Sequence, residues 1–145
     1  MRIRNAIDAD LGDVEQLLTA SDLPVEGVAQ NFSNFLIAED RGEIIGAIGL
    51  ERFGSVALLR SAVIAPEYRG TGIGGRLVEE LLSRAASAGI EDVFLLTTTA
   101  ENYFPRFGFR PSTRSAVPNA LKSSAEFQGA CPETATVMAR SLSSS

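Results

Sequence analysis

At 145 residues, 45% of them hydrophobic and 21% charged, the chain has the length and make-up of one globular domain with its own core. Thirteen basic against eighteen acidic residues leave a net charge of −5 without any lysine or arginine run, which argues against a nucleic-acid partner. There is no histidine and a single cysteine, Cys131, which excludes His-based triads, His-liganded or Cys-cluster metal sites and an intrachain disulfide.

From the N-terminus, "MRIRNAIDADLGD" lacks the apolar run of a signal peptide, and no later stretch approaches the roughly 20 apolar residues that span a bilayer. No membrane contact and a cytoplasmic location are therefore expected. "MRIRNAI" alternates as a short strand. Asp8 or Asp10 stands where a cap would open a helix with the apolar stripe Leu11, Val14, Leu17 and Leu18. "VEGVAQNFSN" is a weaker helical or loop stretch. "NFLIAED", "EIIGAIGLERF" and "VALLRSAVIAP" then read as three strands joined by the turns "DRGE" and "GS", an antiparallel meander.

After Pro66 the period changes. Ile73, Leu77, Val78, Leu81, Leu82 and Ala85 recur at helical spacing, and Gly89 suits the residue that ends such a helix. "EDVFLLTTT" is apolar on both faces, as a buried parallel strand should be, which makes a strand–helix–strand crossover. "AENYFPRFGF" predicts a short helix entering a strand, and "ETATVMARSL" a last strand. The connection between them is long and predicts at most one short helix, near 118–127. The expected organisation is one domain over 1–145, with 141–145 ("SLSSS") as a tail.

The stretch "RGTGIGG", Arg69 to Gly75, puts four glycines directly against the start of that strong helix. First-turn amides have no intrahelical partner and carry the positive end of the dipole, and glycines let an anion approach the backbone closely. The same glycines would also serve a tight turn with close helix–sheet packing. No Gly-Lys-Ser/Thr follows, so this is not the ATPase-type phosphate loop, and a loop that follows a meander fits a dinucleotide fingerprint poorly.

"AVIAPEYRGTGIGGRLVEELLSRAASAGI" resembles the central motif of the GNAT acyltransferase superfamily, Arg/Gln-x-x-Gly-x-Gly/Ala, matched by Arg69, Gly72 and Gly74. The spacing from Ala100 to Gly108-Phe109 is similar too, and the element order covers nearly the whole chain. Within the superfamily, "ALLRSAVI", "LLTTTAENYF", "EFQGACP" and Met138 resemble a branch associated with arsenic-resistance gene sets. "LLTTTAENYFPRFGF" is also similar to the acetyltransferase segment of acetylglutamate synthases. The resemblance implies an α/β (α+β) fold: a mixed, mostly antiparallel sheet of six to seven strands, helices on both faces, and central strands that splay apart. It implies acetyl-CoA as co-substrate and a small-molecule amine, amino-acid-like, as acceptor. The backbone of Arg69, Gly70, Thr71, Gly72, Ile73, Gly74 and Gly75 would hold the pyrophosphate, and the strand edge at Ala62, Val63 and Ile64 would pair with the pantetheine arm. Whether the chain forms a homodimer is left open.

The family's usual acid, a tyrosine four residues before the glycine of Gly-Phe, is Phe104 here, and the frequent asparagine seven residues earlier is Thr97. Tyr103 is adjacent and reads either as the proton donor to the thiolate or as a packing residue. Glu51 reads as a relay for the amine's proton or as a solvated turn residue, with Glu126 as a second candidate. Cys131 reads as a small hydrophobe or as a thiol lining the acceptor pocket. Arg60 stands in an apolar strand, so it either pairs with a helix carboxylate or faces the cleft to take a substrate carboxylate; Arg52, Arg106 and Arg114 are weaker candidates. The missing tyrosine also motivates an alternative, an acyl-CoA-binding or metabolite-sensing module. Acetylation of protein lysines is disfavoured, because the long 114–132 connection is placed to close an open groove.

Overall fold

The computed structural model describes residues 1–132 and 134–142. Its elements are β1 (Arg2–Asn5), α1 (Leu11–Ala20), β2 (Phe35–Asp40), β3 (Glu43–Phe53), β4 (Val56–Ile64), α2 (Ile73–Ser87), β5 (Asp92–Thr97), β6 (Arg110–Pro111) and β7 (Thr136–Ser141). They build a seven-stranded sheet in the order β1-β2-β3-β4-β5-β7-β6. Every neighbouring pair is antiparallel except β4–β5, which the α2 crossover makes parallel.

Alternation along the strands sends side chains to two cores. Leu36, Ile48, Leu59, Val93 and Leu95 meet the apolar face of α2. Ile37, Ala47 and Val63 meet Val14 and Leu18 of α1 on the opposite face. Farther along that second face, Leu58, Phe94 and Val137 are covered by Val117 and Leu121 from the 112–135 connection. That connection holds three short helical turns, Arg114–Ala116, Asn119–Ser123 and Glu126–Ala130, where at most one was expected. Each is a single turn with no apolar periodicity to announce it.

Two further expectations are corrected locally. The side chains of Asp8 and Asp10 make no cap bond to α1. Asp10 instead accepts the Ile7 amide at 2.8 Å and pairs with Arg4 at 2.8 Å, which pulls its carboxyl below the usual range. In the segment expected as a tail, Ser141 pairs with Asp92 in β7, and the amide of Leu142 donates to the Glu91 carbonyl at 2.7 Å. Residues 143–145 lie outside the described residues.

Gly49 has a specific steric reason. It pairs with Phe35, and a Cβ at Gly49 would lie 2.2 Å from a carbon of that ring. Gly49→Ala should therefore lower stability by about 1–3 kcal/mol, the range for overpacking. Denaturant unfolding checks this: the midpoint falls while the slope stays constant.

Two features of β4 shape the functional face. A bulge sets Ala47 opposite Val63 but Gly49 opposite Arg60, so Ser61 and Ala62 share one partner position. Ser61 takes φ +60°, a left-handed conformation that costs a non-glycine residue roughly 1–2 kcal/mol. The extra residue switches the alternation and brings Arg60 and Val63 to the same face. In addition, pairing of β4 with β5 ends at Leu58–Phe94, and beyond it the two strands part, as the resemblance implied.

Candidate active site

The parted strands open a cleft of about 450 Å³. Its walls are 59–64 of β4, 95–97 of β5 and the following residues 98–100, with Gly74, Leu77 and Val78 of α2 at one end. Asp22 and Leu23 after α1, together with Glu126, Ala130 and Cys131, close the other sides.

The glycine loop adjoins this cleft. Gly70 and Gly72 take φ +78° and +86°, and a Cβ built at either would meet nothing within 4 Å. The amides of Gly70 through Gly75 make no hydrogen bond among the described residues; the first bond of helical type runs from the Arg76 amide to the Gly72 carbonyl at 3.2 Å. No acidic residue sits in the first turn of α2 to offset the dipole. Donors, positive end and empty space coincide, which is a place for an anion. Of the cofactor residues expected from the sequence, Ala62, Val63, Ile64 and Gly74 line the cleft itself. Gly70, Thr71, Gly72 and Gly75 lie beyond its lining, and Ile73 is buried in the α2 core. The Arg69 guanidinium does not stand over the glycines: its Nε donates to the Ile64 carbonyl at 3.1 Å and an Nη to Ser21 Oγ at 3.0 Å.

Tyr103 enters the cleft beside this loop. Its hydroxyl lies 3.2 Å from where a Cβ on Gly74 would stand, so glycine at 74 leaves it room. The ring packs edge-on against Phe104 and Phe107 and carries the Arg106 guanidinium 4.6 Å from its centre. Burial raises the Tyr103 hydroxyl above its ordinary pKa, with Arg106 opposing. Phe104 points into the core, edge-on to Phe109. Thr97 turns its Oγ1 back onto the chain to accept the Ala100 amide at 2.9 Å.

At the other end lies a buried charge cluster. The Arg60 side chain is 0% exposed and those of Glu51 and Glu126 are 5% exposed. Arg60 Nη1 donates to Glu51 Oε1 at 2.5 Å, and Ser124 Oγ donates to the same oxygen at 2.9 Å. Arg60 Nε donates to Ser61 Oγ at 3.0 Å and lies 3.7 Å from Glu126 Oε2. Arg60 Nη2 is buried without a hydrogen-bond partner among the described residues. Gly27 makes the cluster possible, since a Cβ there would meet Nη1 at 2.7 Å. Arg60 thus pairs with carboxylates, and it borders the cleft with its side chain fully buried. Its tight partner, however, is the strand carboxylate of Glu51.

Glu51 is neither a solvated turn residue nor part of the cleft lining; it stands behind Arg60 and holds it. Glu126 does line the cleft, and its carboxyl accepts no hydrogen bond among the described residues. Burial, with Glu51 and Glu26 adding and Arg60 subtracting, pushes its pKa up to about 7. The Cys131 thiol is pushed up to about 11, first by burial and then by Glu126, so it is a neutral wall. Ser124, Gly27 and the Ser61 bulge carried no sequence signal. Arg52, Arg106 and Arg114 lie outside the cleft lining, and the described residues contain no cluster able to hold a metal.

Comparison with known proteins identifies the family and the fold. The acetyltransferase (GNAT) domain family matches residues 31–111. An amino-acid acetyltransferase of Pseudomonas syringae pv. tomato is 31% identical over 140 residues, covering 87% of this chain and 31% of that protein. One from Ralstonia nicotianae is 31% identical over 128 residues, 80% of this chain and 28% of that protein. The chain therefore spans about a third of the length of these curated relatives. N-acetylglutamate synthase from Neisseria gonorrhoeae, complexed with coenzyme A and N-acetyl-glutamate, shares the fold. Its TM-score is 0.84 at 22% identity, over 99% of this chain and 35% of that one. Rv2747 from Mycobacterium tuberculosis, in complex with CoA, superposes with a TM-score of 0.83 at 22% identity over 97% and 99% of the two chains. The chain belongs to the GNAT acetyltransferase family.

Proposed function

We propose that the protein is an acetyl-CoA-dependent N-acetyltransferase that acts on the amine of a small, amino-acid-like acceptor. The observation that carries this is the run of unpartnered amides from Gly70 to Gly75 beside the parted edges of β4 and β5. In this reading those amides hold the pyrophosphate, with Arg69 bracing the loop. The edge of Ala62, Val63 and Ile64, where pairing with β5 has ended, takes the pantetheine arm as an added strand. Acetyl-CoA supplies the thioester. The protein brings the amine to it, excludes water and returns a proton to the departing sulfur. Tyr103 is the group for that last task, since its hydroxyl faces the cleft at the head of α2. This placement favours an enzyme over an acyl-CoA-sensing module, which the phenylalanine at 104 had motivated.

Arg60 marks the acceptor end, where its free Nη2 suits a carboxylate, with Cys131 as a neutral wall. The resemblance to the arsenic-resistance branch adds amino-acid-like organoarsenicals to the acceptor class. A cytoplasmic setting belongs to the same reading, and sedimentation would decide whether the chain pairs with itself.

The test is coenzyme A release by purified protein over amino acids, plain amines, organoarsenicals and a lysine peptide. Turnover is expected on at least one amino-acid-like acceptor. Tight cofactor binding without turnover on any amine would instead identify a sensor. Tyr103→Phe should lower kcat by about 100-fold or more, the scale of one general acid, while leaving CoA affinity within about twofold.

A further inference from the structure

The charges that line the cleft are unbalanced in a way that constrains the acceptor. Among the described lining residues Arg60 is the one cation, and Asp22 and Glu126 are both acids. The charge of Arg60 is already met by Glu51 at 2.5 Å. What remains is a buried donor without a partner, Arg60 Nη2, and an acceptor without a hydrogen bond, Glu126, whose Oε2 lies 3.7 Å from Nε of the same guanidinium. A donor next to an acceptor matches a molecule that carries a carboxylate next to an ammonium. A second anionic group on that molecule would find no free cation, and in a low-dielectric cleft an unpaired charge is expensive.

We propose that the cleft selects α-amino acids of no net charge, with the carboxylate on Arg60 Nη2 and the ammonium on Glu126, and disfavours acceptors bearing a second anionic group. The inference rests on the acetyltransferase reading above and narrows it, away from the glutamate scaffold of the ligand held by the gonococcal structure. One proton passes from the ammonium to the Glu126 carboxylate and from there to solvent. The freed lone pair forms the bond to the acetyl carbon as the carbon–sulfur bond breaks and its electron pair leaves on sulfur. The nitrogen's second proton balances the one that sulfur takes through Tyr103. Glu126 is then a catalytic residue, while Glu51, which acts only through Arg60, is a positioning residue.

Glutamine and glutamate have nearly the same shape and differ in charge, so they are the discriminating pair. Wild-type protein should show kcat/KM at least tenfold higher for glutamine than for glutamate, and higher for alanine than for aspartate. Glu51→Gln leaves the charge of Arg60 uncompensated and should narrow the glutamine/glutamate ratio at least fivefold, an effect that a purely structural role would not produce. Glu126→Gln should lose the limb of kcat/KM that rises through about pH 7, where Glu126, facing Arg60 from β4, Glu51 from β3, Glu26 and Cys131, ionises. Glutamate used as well as glutamine, or a ratio unmoved in a folded Glu51→Gln, overturns the inference and leaves the acetyltransferase reading intact. Transfer to no amine overturns both. If Glu51→Gln does not fold, the wild-type ratio and the Glu126→Gln profile decide.

Discussion

Gly72→Glu is expected to abolish CoA binding while the protein stays folded. Gly72 is the residue before α2, at φ +86°, and a Cβ there meets nothing within 4 Å. A longer side chain fits sterically and brings its carboxylate to the unpartnered amides. It competes for donors that in the proposed complex would each contribute about 1.5–3 kcal/mol to a charged ligand. Loss of two such bonds exceeds a hundredfold in affinity, since about 1.4 kcal/mol is a factor of ten. The left-handed backbone alone costs any non-glycine residue roughly 1–2 kcal/mol of stability. Gly72→Ala carries that cost without the charge and serves as the control. Calorimetric titration with CoA should show loss of binding for Gly72→Glu and less than a tenfold change for Gly72→Ala, with folding of both verified by circular dichroism. Unchanged affinity in folded Gly72→Glu would remove the loop from the cofactor site.

Arg60→Met should be the most destabilising single change on the opposite side of the cleft. Methionine fills much of the volume, but it leaves Glu51 and Glu126 buried without a cation. Removing one partner from a buried ion pair typically costs about 3–5 kcal/mol, because the remaining charge is stranded. Relief should come from neutralising the stranded group, so the pair Arg60→Met with Glu51→Gln is expected to recover a large part of the loss. Urea unfolding of the two single variants and the double variant measures this coupling directly. A loss below about 1 kcal/mol for Arg60→Met would show that the cluster is not holding this part of the fold together.

The sequence made the scaffold legible because its signals are local and periodic. The meander declared itself through alternating runs between glycine-containing turns, and α2 through the spacing of Ile73, Leu77, Leu81 and Ala85. The glycines of 70–75 read equally as an anion cradle or as a tight turn, and only the folded loop shows their amides without partners. The acceptor end was much less readable, for a physical reason. Arg60, Glu51, Ser124 and Gly27 meet only because β3, β4, the segment before β2 and the late connection converge, and no short spacing records that meeting. The 112–135 connection hid its three turns because each is too short to show a period. The bulge at Ser61 was invisible for a similar reason: one extra residue in a strand leaves the apolar run "SAVI" looking regular.

The strand latest in the sequence, β7, lies inside the sheet between β5 and β6. During synthesis the edge of β5 therefore stays bare until Thr136–Ser141 leave the ribosome. The loop that carries Glu126 and Cys131 cannot be clamped at both ends before then. An emerging chain would expose a strongly apolar ribbon, Val93 to Leu96, and depend on the later Thr136–Ser141 to cover it.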